Sequence, residues 1–227
     1  MKTLKVYLYV FNTMSDWEYG YLIAELNSGR YFKNGLEPLN VITVGANKEV
    51  VKTMGGLKII PDITHNECKL ERNDLLILPG GTNWNDQVHQ PIKECIGKAL
   101  DEGVVVAAIC GAVDALASSG YLDTRKHTSN NLEYTKMICP NYKGEKYFEM
   151  RSAVSDENLI TASGIAPLEF AREVLKKVNV FESDTLEYWY KLNKMHKTEC
   201  FHQLMESMIT SSTNKQKRII NNTDKTL

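Results

Sequence analysis

The sequence predicts an α/β fold in which a mostly parallel sheet is covered by helices on both faces. The first observation is that short runs of β-branched, aromatic and leucine residues alternate along the chain with segments of helical periodicity. The second is that these helical segments are about 10 to 15 residues long, a length typical of the crossovers between parallel strands. The third is that the short runs are continuously apolar, as expected of strands buried on both faces.

The elements of the first half follow from the turn and cap residues between the apolar runs. Ser15 or Asp16 is placed to cap the first helix, and Gly29 is placed to end it. Gly55 and Gly56 interrupt an apolar stretch and predict a hairpin. In order, the predicted elements are a strand over residues 5–11, the capped helix, a strand over 39–44 and the hairpin over 48–60.

The second half repeats the alternation of strand and helix. A strand over residues 74–78 ends in the Pro-Gly-Gly turn 79–81, and Pro91 opens a helix that Gly103 closes. After Gly120 the pattern loosens, and no element is predicted before residue 158. The remaining elements are a strand over 104–109, a short helix over 113–117, a strand over 158–162 and a helix over 168–178.

The C-terminal part changes character. Apolar residues at helical spacing predict an added helix over residues 184–208 with a break near residues 196–198, and Trp189 in it is expected to pack against the core. From Thr210 onward there is almost no apolar surface to bury. We therefore assign residues 1–180 to one α/β domain, residues 181–209 to a helical extension and residues 210–227 to a disordered tail.

Composition and charge exclude several classes of function. The chain has 27 Lys and Arg residues against 28 Asp and Glu residues, so it lacks the basic excess expected of a nucleic-acid-binding protein. No stretch approaches the apolar length of a membrane span, and none resembles a signal peptide. Five widely spaced cysteines form no disulfide or zinc pattern. We expect a cytoplasmic protein with free thiols, no metal, no cofactor, and neither a nucleic acid nor a membrane as partner.

Cys110 is the candidate reactive residue because it lies at a sharp turn between a predicted strand and the short helix that follows it. Unpaired N–H groups at the start of a helix favour a thiolate and can hold an oxyanion. Gly111 would supply one of these N–H groups, and Gly81 at the neighbouring strand end would supply a second. Ligands bind at the carboxyl ends of parallel strands, where four such ends are expected to meet. A buried cysteine that merely ends a core strand is the alternative.

Several segments together resemble the DJ-1/PfpI family, within the class I glutamine amidotransferase-like fold. The resemblance covers about residues 3 to 180 and implies a flavodoxin-like three-layer sandwich with Cys110 as its nucleophile. It also implies a homodimer. The segments that carry it are Val6–Val10, the acid Glu18, Leu75–Gly81, Ala107–Ala112 and Leu159–Gly164.

The resemblance implies an acid that contacts the cysteine, and this sequence departs from the family at the third position. Glu18 matches the acid best and Asp16 is the alternative; either could also serve only the helix dipole. Many relatives carry a histidine where Asn130 stands here. His127 could replace it, although a lone histidine there is more often structural. Asn130 could orient a substrate oxygen but cannot accept a proton.

Three functions remain open from the sequence. The first is a stress-related, cysteine-dependent enzyme that acts on a small carbonyl or amide substrate, either amidase- or peptidase-like or aldehyde-handling. The second is a redox or stress sensor that oxidises Cys110 reversibly without turnover. The third is a ligand-binding or interaction protein with a vestigial site. Ammonia transfer from glutamine is disfavoured, because no His-x-Glu pair follows the last predicted strand.

Overall fold

The computed structural model describes residues 4–209, and within them seven strands form one mostly parallel sheet. The strands are β1 Val6–Tyr9, β2 Val41–Gly45, β3 Val51–Lys52, β4 Lys58–Ile59, β5 Ile63–Thr64, β6 Leu75–Leu78, β7 Val105–Ile109, β8 Ala153–Asp156 and β9 Leu159–Ala162. The strand order in the sheet is β5-β2-β1-β6-β7-β9-β8, and only β8 is antiparallel to its neighbour. A separate two-stranded hairpin consists of β3 and β4.

Helices cover both faces of the sheet, which confirms the predicted α/β class. Helix α1 packs on α5, and α5 packs in turn on α6. The helices are α1 Asp16–Ser28, α2 Gln90–Asp101, α3 Gly111–Ser118, α4 Leu132–Ile138, α5 Pro167–Val178 and α6 Ser183–Met195, followed by a helical segment over residues 198–209. Short 3₁₀ turns lie at Gln87–His89 and Glu145–Tyr147.

The central strands are buried because helices exclude water from both of their faces. Strand β1 lies between β2 and β6, with Val6 paired to Val41 on one side and to Leu75 on the other. Every residue of β1, β6, β7 and β9 is buried. Parallel pairing along this row places the carboxyl ends of all four strands at the same edge of the sheet, where the candidate site lies.

Three elements were not predicted, and each carries a weak local signal. Strand β5 has only two residues, so its pairing with β2 depends on tertiary contacts. Helix α4 begins at a side-chain cap, where Asn131 accepts a hydrogen bond from the N–H of Tyr134, within a polar stretch with little apolar periodicity. Strand β8 buries only Ala153 and Val154, and it pairs antiparallel with β9 as the outer strand of the sheet.

The C-terminal helices pack against the domain through a buried polar contact. Trp189 is 1% exposed, as its helical spacing predicted, and its indole N–H donates a hydrogen bond to Glu25 on α1 over 2.9 Å. Arg30 makes an ion pair with the same carboxylate. Helix α6 ends at Met195, and the next residue, His196, has a left-handed backbone, so the predicted break is confirmed. The tail predicted over 210–227 lies outside the described residues. No helix within residues 4–209 is both long and apolar enough to cross a membrane.

Candidate functional site

Cys110 lies at the turn between β7 and α3 in an unusual backbone conformation. Its φ of 59° and ψ of −128° are values that a non-glycine residue adopts only when its surroundings hold it there. Two hydrogen bonds hold this turn: the Cys110 N–H donates to Ala162 O over 3.0 Å, and the Val113 N–H donates to Cys110 O over 2.9 Å. The half-buried side chain therefore has a fixed direction at the carboxyl edge of the sheet.

Glu18 lies in the first turn of α1 and is 1% exposed. Its Oε2 accepts a hydrogen bond from the N–H of Gly80 over 2.5 Å, whereas Oε1 has no hydrogen-bond partner of ordinary geometry. Burial raises the pKa of this carboxyl group, and the Gly80 hydrogen bond partly opposes that effect. The structure thus places a buried carboxyl group with a raised pKa beside the thiol.

Two glycines allow the thiol and the acid to approach each other. A Cβ added at Gly164 would lie 2.7 Å from Cys110 Sγ and 3.2 Å from Glu18 Oε1. A Cβ added at Gly80 would lie 2.6 Å from Cys110 Cβ and 2.8 Å from Glu18 Oε2. Any other residue at either position would occupy the space beside Cys110 and Glu18. The sequence explained Gly164 only as a strand-end residue; its signal as a site residue was its place at the carboxyl end of β9.

Asn130 contacts the thiol directly. Its Nδ2 group donates a hydrogen bond to Cys110 Sγ over 3.3 Å. The orientation of the amide follows from its other end, because Oδ1 accepts hydrogen bonds from the Gly164 N–H over 2.8 Å and from the Ser163 hydroxyl over 3.3 Å. Asn130 therefore holds a hydrogen-bond donor, and not a base, against the sulfur.

His127 has its two ring nitrogens engaged elsewhere. Nδ1 lies 2.7 Å from the carbonyl oxygen of Arg125, and Nε2 lies 2.6 Å from the hydroxyl group of Tyr142. The carbonyl can only accept, so Nδ1 carries the proton and Nε2 accepts the hydrogen bond from Tyr142. The ring is 1% exposed, and burial lowers its pKa. This environment is that of a neutral, structural histidine.

Asp16, the alternative acid, anchors the hairpin. Its Oδ2 accepts a hydrogen bond from the N–H of Gly55 over 2.5 Å, at the tip between β3 and β4. The hairpin is also tied to the loop before α1 by two backbone bonds, from Thr13 N–H to Lys52 O and from Met54 N–H to Met14 O, each 2.9 Å long. The two acids at the start of α1 therefore have different surroundings, and only Glu18 lies beside Cys110.

The backbones of Gly81 and Gly111 lie against each other beside the thiol. A Cβ added at Gly111 would lie 2.9 Å from Gly81 O and 3.6 Å from Gly81 N. A hydrogen bond from the Gly111 N–H to the Cys110 side chain lowers the pKa of the thiol. Phe11 packs under Gly81, since its ring would lie 2.5 Å from an added Cβ. This backing leaves Gly81 little freedom to move away from the turn.

The ionisation of Cys110 differs from the sequence expectation. Burial raises the pKa of the thiol to about 11, and the carboxylate of Glu18 acts in the same direction. The hydrogen bonds from Asn130 and Gly111 lower it, but less than burial raises it. The helix start therefore does not by itself produce a thiolate. Instead, Cys110 and Glu18 form a buried pair in which a thiol proton lies next to a carboxylate able to accept it.

Comparisons with known proteins agree with this architecture. A family model described as the DJ-1/PfpI family matches residues 4–177. The chain is 64% identical over 208 residues to "Uncharacterized protease YoaZ" of Bacillus subtilis, covering 92% of this chain and 99% of that protein. It is 26% identical over 163 residues to "Glutathione-independent glyoxalase DJR-1.2" of Caenorhabditis elegans, covering 71% of this chain and 81% of that protein.

A solved structure extends the similarity to three dimensions. The crystal structure of a thiJ/pfpI family protein from Bacillus anthracis superposes with a TM-score of 0.90 at 73% sequence identity. The match covers 91% of this chain and 98% of that one.

Within residues 4–209, no group of three or more His, Cys, Asp or Glu side chains is arranged to hold a metal ion.

Proposed function

The chain belongs to the DJ-1/PfpI family, and we propose that it is an enzyme whose Cys110 adds to the carbonyl group of a small 2-oxoaldehyde. The observation that carries this proposal is the buried pair of Cys110 and Glu18, enclosed by Gly80 and Gly164. A thiol that adds to an aldehyde must lose its proton as the carbon–sulfur bond forms. Glu18 is the acceptor beside it, and burial raises the pKa of its carboxyl group, which makes its carboxylate a stronger proton acceptor.

The first step forms a hemithioacetal. The Cys110 sulfur bonds to the aldehyde carbon, the C=O π bond breaks, and the thiol proton passes to the Glu18 carboxylate. In this proposal the N–H groups of Gly111 and Gly81 stabilise the resulting alkoxide; the Gly111 N–H bonds to the Cys110 side chain, and Gly81 packs against Gly111. Protonated Glu18 then returns the proton to that oxygen. The Asn130 donor on the sulfur stabilises the negative charge that develops there as the thiol proton leaves.

The second step moves a proton between the two carbon atoms. Glu18 takes the proton from the former aldehyde carbon and passes it to the ketone oxygen, which gives an enediol. Glu18 then takes the hydroxyl proton on the former aldehyde carbon and delivers it to the neighbouring carbon, so that the C=O bond of the thioester forms. The product is a thioester of a 2-hydroxy acid, and water hydrolyses it to the acid and the free thiol. The aldehyde carbon is oxidised and the ketone carbon is reduced within one molecule, so no external oxidant is consumed. The glyoxalase name of the C. elegans relative supports the same reaction class.

Peptide hydrolysis is less well supported, although the B. subtilis relative bears the name of an uncharacterized protease. An amide leaving group needs a proton from a positioned acid, and cysteine proteases use an imidazole for it. Both nitrogens of His127 are bonded elsewhere, and Asn130 cannot carry a proton to a leaving group. Addition to an aldehyde expels no leaving group and therefore avoids this need.

The test measures conversion of methylglyoxal and phenylglyoxal to their 2-hydroxy acids, with a fluorogenic peptide mixture assayed in parallel. We expect turnover in the wild type, none in Cys110→Ser, and an unchanged rate in the matched control Cys95→Ser, a half-buried thiol on α2. Turnover that survives Cys110→Ser, or peptide cleavage without 2-hydroxy acid formation, would refute the proposal.

Glu18→Gln separates the two roles of the acid. Removing the carboxylate charge lowers the pKa of Cys110, so the thiol should react with iodoacetamide about tenfold faster at pH 8. Turnover should fall roughly 100-fold, because glutamine cannot transfer the proton. Faster alkylation combined with slower turnover is the expected signature. A loss of both would indicate that Glu18 only supports the fold of the site.

Reversible oxidation of Cys110 is the second candidate function, and one observation favours it. Asn130 Nδ2, the Gly111 N–H and a protonated Glu18 provide three hydrogen-bond donors around the sulfur, which suit the oxygen atom of a sulfenic acid, the oxidation product that thiols can reduce again. Titration with hydrogen peroxide, read by mass spectrometry of each cysteine, tests this. A pure sensor would oxidise at Cys110 before Cys68 or Cys200 and would convert no aldehyde.

A further inference from the structure

The segment 127–131, which carries Asn130, is held in place by its own side chains. His127 bonds to Arg125 and Tyr142, as described above. The Thr128 hydroxyl donates to Arg151 O over 2.7 Å, and the Thr128 N–H donates to the buried hydroxyl of Thr161 over 2.9 Å. Asn131 caps α4. The backbone on each side of Asn130 therefore has a fixed path.

Ser129 is linked to the helix that begins at Cys110. The hydroxyl oxygen of Thr135 on α4 lies 2.9 Å from Ser129 Oγ and 2.8 Å from Asp114 Oδ1 on α3. A hydroxyl group has one proton, and the carboxylate can only accept, so Thr135 donates to Asp114 and accepts from Ser129. All three side chains are buried, with exposures of 5% for Ser129, 2% for Thr135 and 8% for Asp114.

We propose that Ser129, Thr135 and Asp114 form a hydrogen-bonded chain that positions the Asn130 amide against Cys110 Sγ. Asp114 lies four residues beyond Cys110, one helical turn along α3, so it moves as one unit with the thiol. Ser129 immediately precedes Asn130 in the chain. The chain therefore joins the donor and the sulfur through a second route, besides the 3.3 Å contact itself. These three residues are positioning residues, since none of them touches the thiol.

A purely structural role would also explain three buried polar groups, because buried polar side chains are normally hydrogen-bonded. The two roles differ in one respect: a positioning role affects the ionisation of the Cys110 thiol, and does so only when Asn130 is present. If the chain acts by positioning, breaking it weakens the hydrogen bond to the sulfur, and the thiol becomes harder to ionise. If it only supports the fold, breaking it changes stability and leaves the ionisation of the thiol unchanged.

The experiment compares Thr135→Val with Thr185→Val in the full-length protein. Thr185 is a matched control, because it is 1% exposed and its hydroxyl makes a hydrogen bond of 2.9 Å to Ser207 in the C-terminal helices. The readout is the rate of iodoacetamide alkylation at Cys110 at pH 8, where the rate is proportional to the thiolate fraction. We expect Thr135→Val to slow alkylation about tenfold, as for a pKa raised by about one unit, and Thr185→Val to leave it unchanged.

A second background decides the mechanism. In Asn130→Ala the hydrogen bond to the sulfur is already lost, so adding Thr135→Val should slow alkylation no further. Equal slowing in both backgrounds, or none in either, overturns the proposal. Ser129→Ala replaces Thr135→Val if that variant does not fold, since it breaks the chain while keeping the bond between Thr135 and Asp114. The inference concerns the site of the proposed function, but alkylation does not require turnover, so each can fail without the other.

Discussion

Replacing Gly164 by alanine tests directly whether the thiol and the acid are packed as the structure describes. The added methyl group would lie 2.7 Å from Cys110 Sγ and 2.8 Å from Cys110 Cβ, where ordinary contacts begin at 3.4 Å. The sulfur must therefore give way by about 0.7 Å. Its backbone cannot absorb the shift easily, because the turn is already held at a φ of 59° by bonds to neighbouring elements.

The expected cost follows from that displacement. Overpacking of this size destabilises a protein by about 1 to 3 kcal/mol. The substitution adds no backbone strain of the kind expected at a positive φ, because Gly164 does not have a positive φ. Moving the sulfur also breaks the 3.3 Å contact with Asn130 and alters the approach to Glu18. A misplacement of about 1 Å can reduce a catalysed rate roughly 100-fold, so we expect turnover of the 2-oxoaldehyde to fall by that order.

The assay combines urea unfolding with turnover, and Gly20→Ala is the control. Gly20 lies in α1, two residues beyond Glu18, and an added Cβ there would meet no atom within 4 Å. That substitution should stabilise the helix by about 0.5 to 1 kcal/mol and leave turnover unchanged. Wild-type turnover and stability in Gly164→Ala would refute the packing of Gly164 against the sulfur.

Three further predictions concern pH, the missing imidazole and the C-terminal helices. His89 is fully buried beside Tyr9, and burial lowers its pKa from 6.5 to about 4, so the stability it contributes is complete above pH 6.5 and is lost as pH falls towards 4. That difference corresponds to roughly 3 kcal/mol, and urea unfolding at pH 7.5 and pH 5 should show a smaller loss in His89→Gln than in the wild type; equal losses would contradict the assignment. Asn130→His should accelerate alkylation of Cys110 about tenfold near pH 6, because a protonated imidazole stabilises the thiolate, and an unchanged rate would show that this position does not control the thiol. Glu25→Gln should destabilise the fold by about 1 to 3 kcal/mol and speed limited proteolysis within α6, because it weakens the contacts to Arg30 and Trp189; Lys191→Gln, which alters an exposed ion pair, should do neither.

The sequence was sufficient for the α/β class and for the strand-to-helix turn at Cys110. Short continuous apolar runs bounded by turn residues, such as Leu75–Leu78, are typical of strands in a sheet interior, and the glycines that follow them indicate sharp turns. These signals are local, so they can be found without tertiary information. Strand β5 and helix α4 were missed because segments of two and seven residues are too short to carry a clear apolar periodicity.

The tertiary structure alone decided which candidate residues meet. Glu18 and Asp16 are two residues apart on one helix, yet one faces Cys110 and the other binds the hairpin, because α1 is oriented by its packing on α5. The same holds for the thiol: its sequence position at a helix start favours ionisation, whereas the burial created by Gly80 and Gly164 opposes it. Local sequence determined where a reactive group could lie. The surrounding packing determined the pKa of that group, because desolvation depends on residues far apart in the chain.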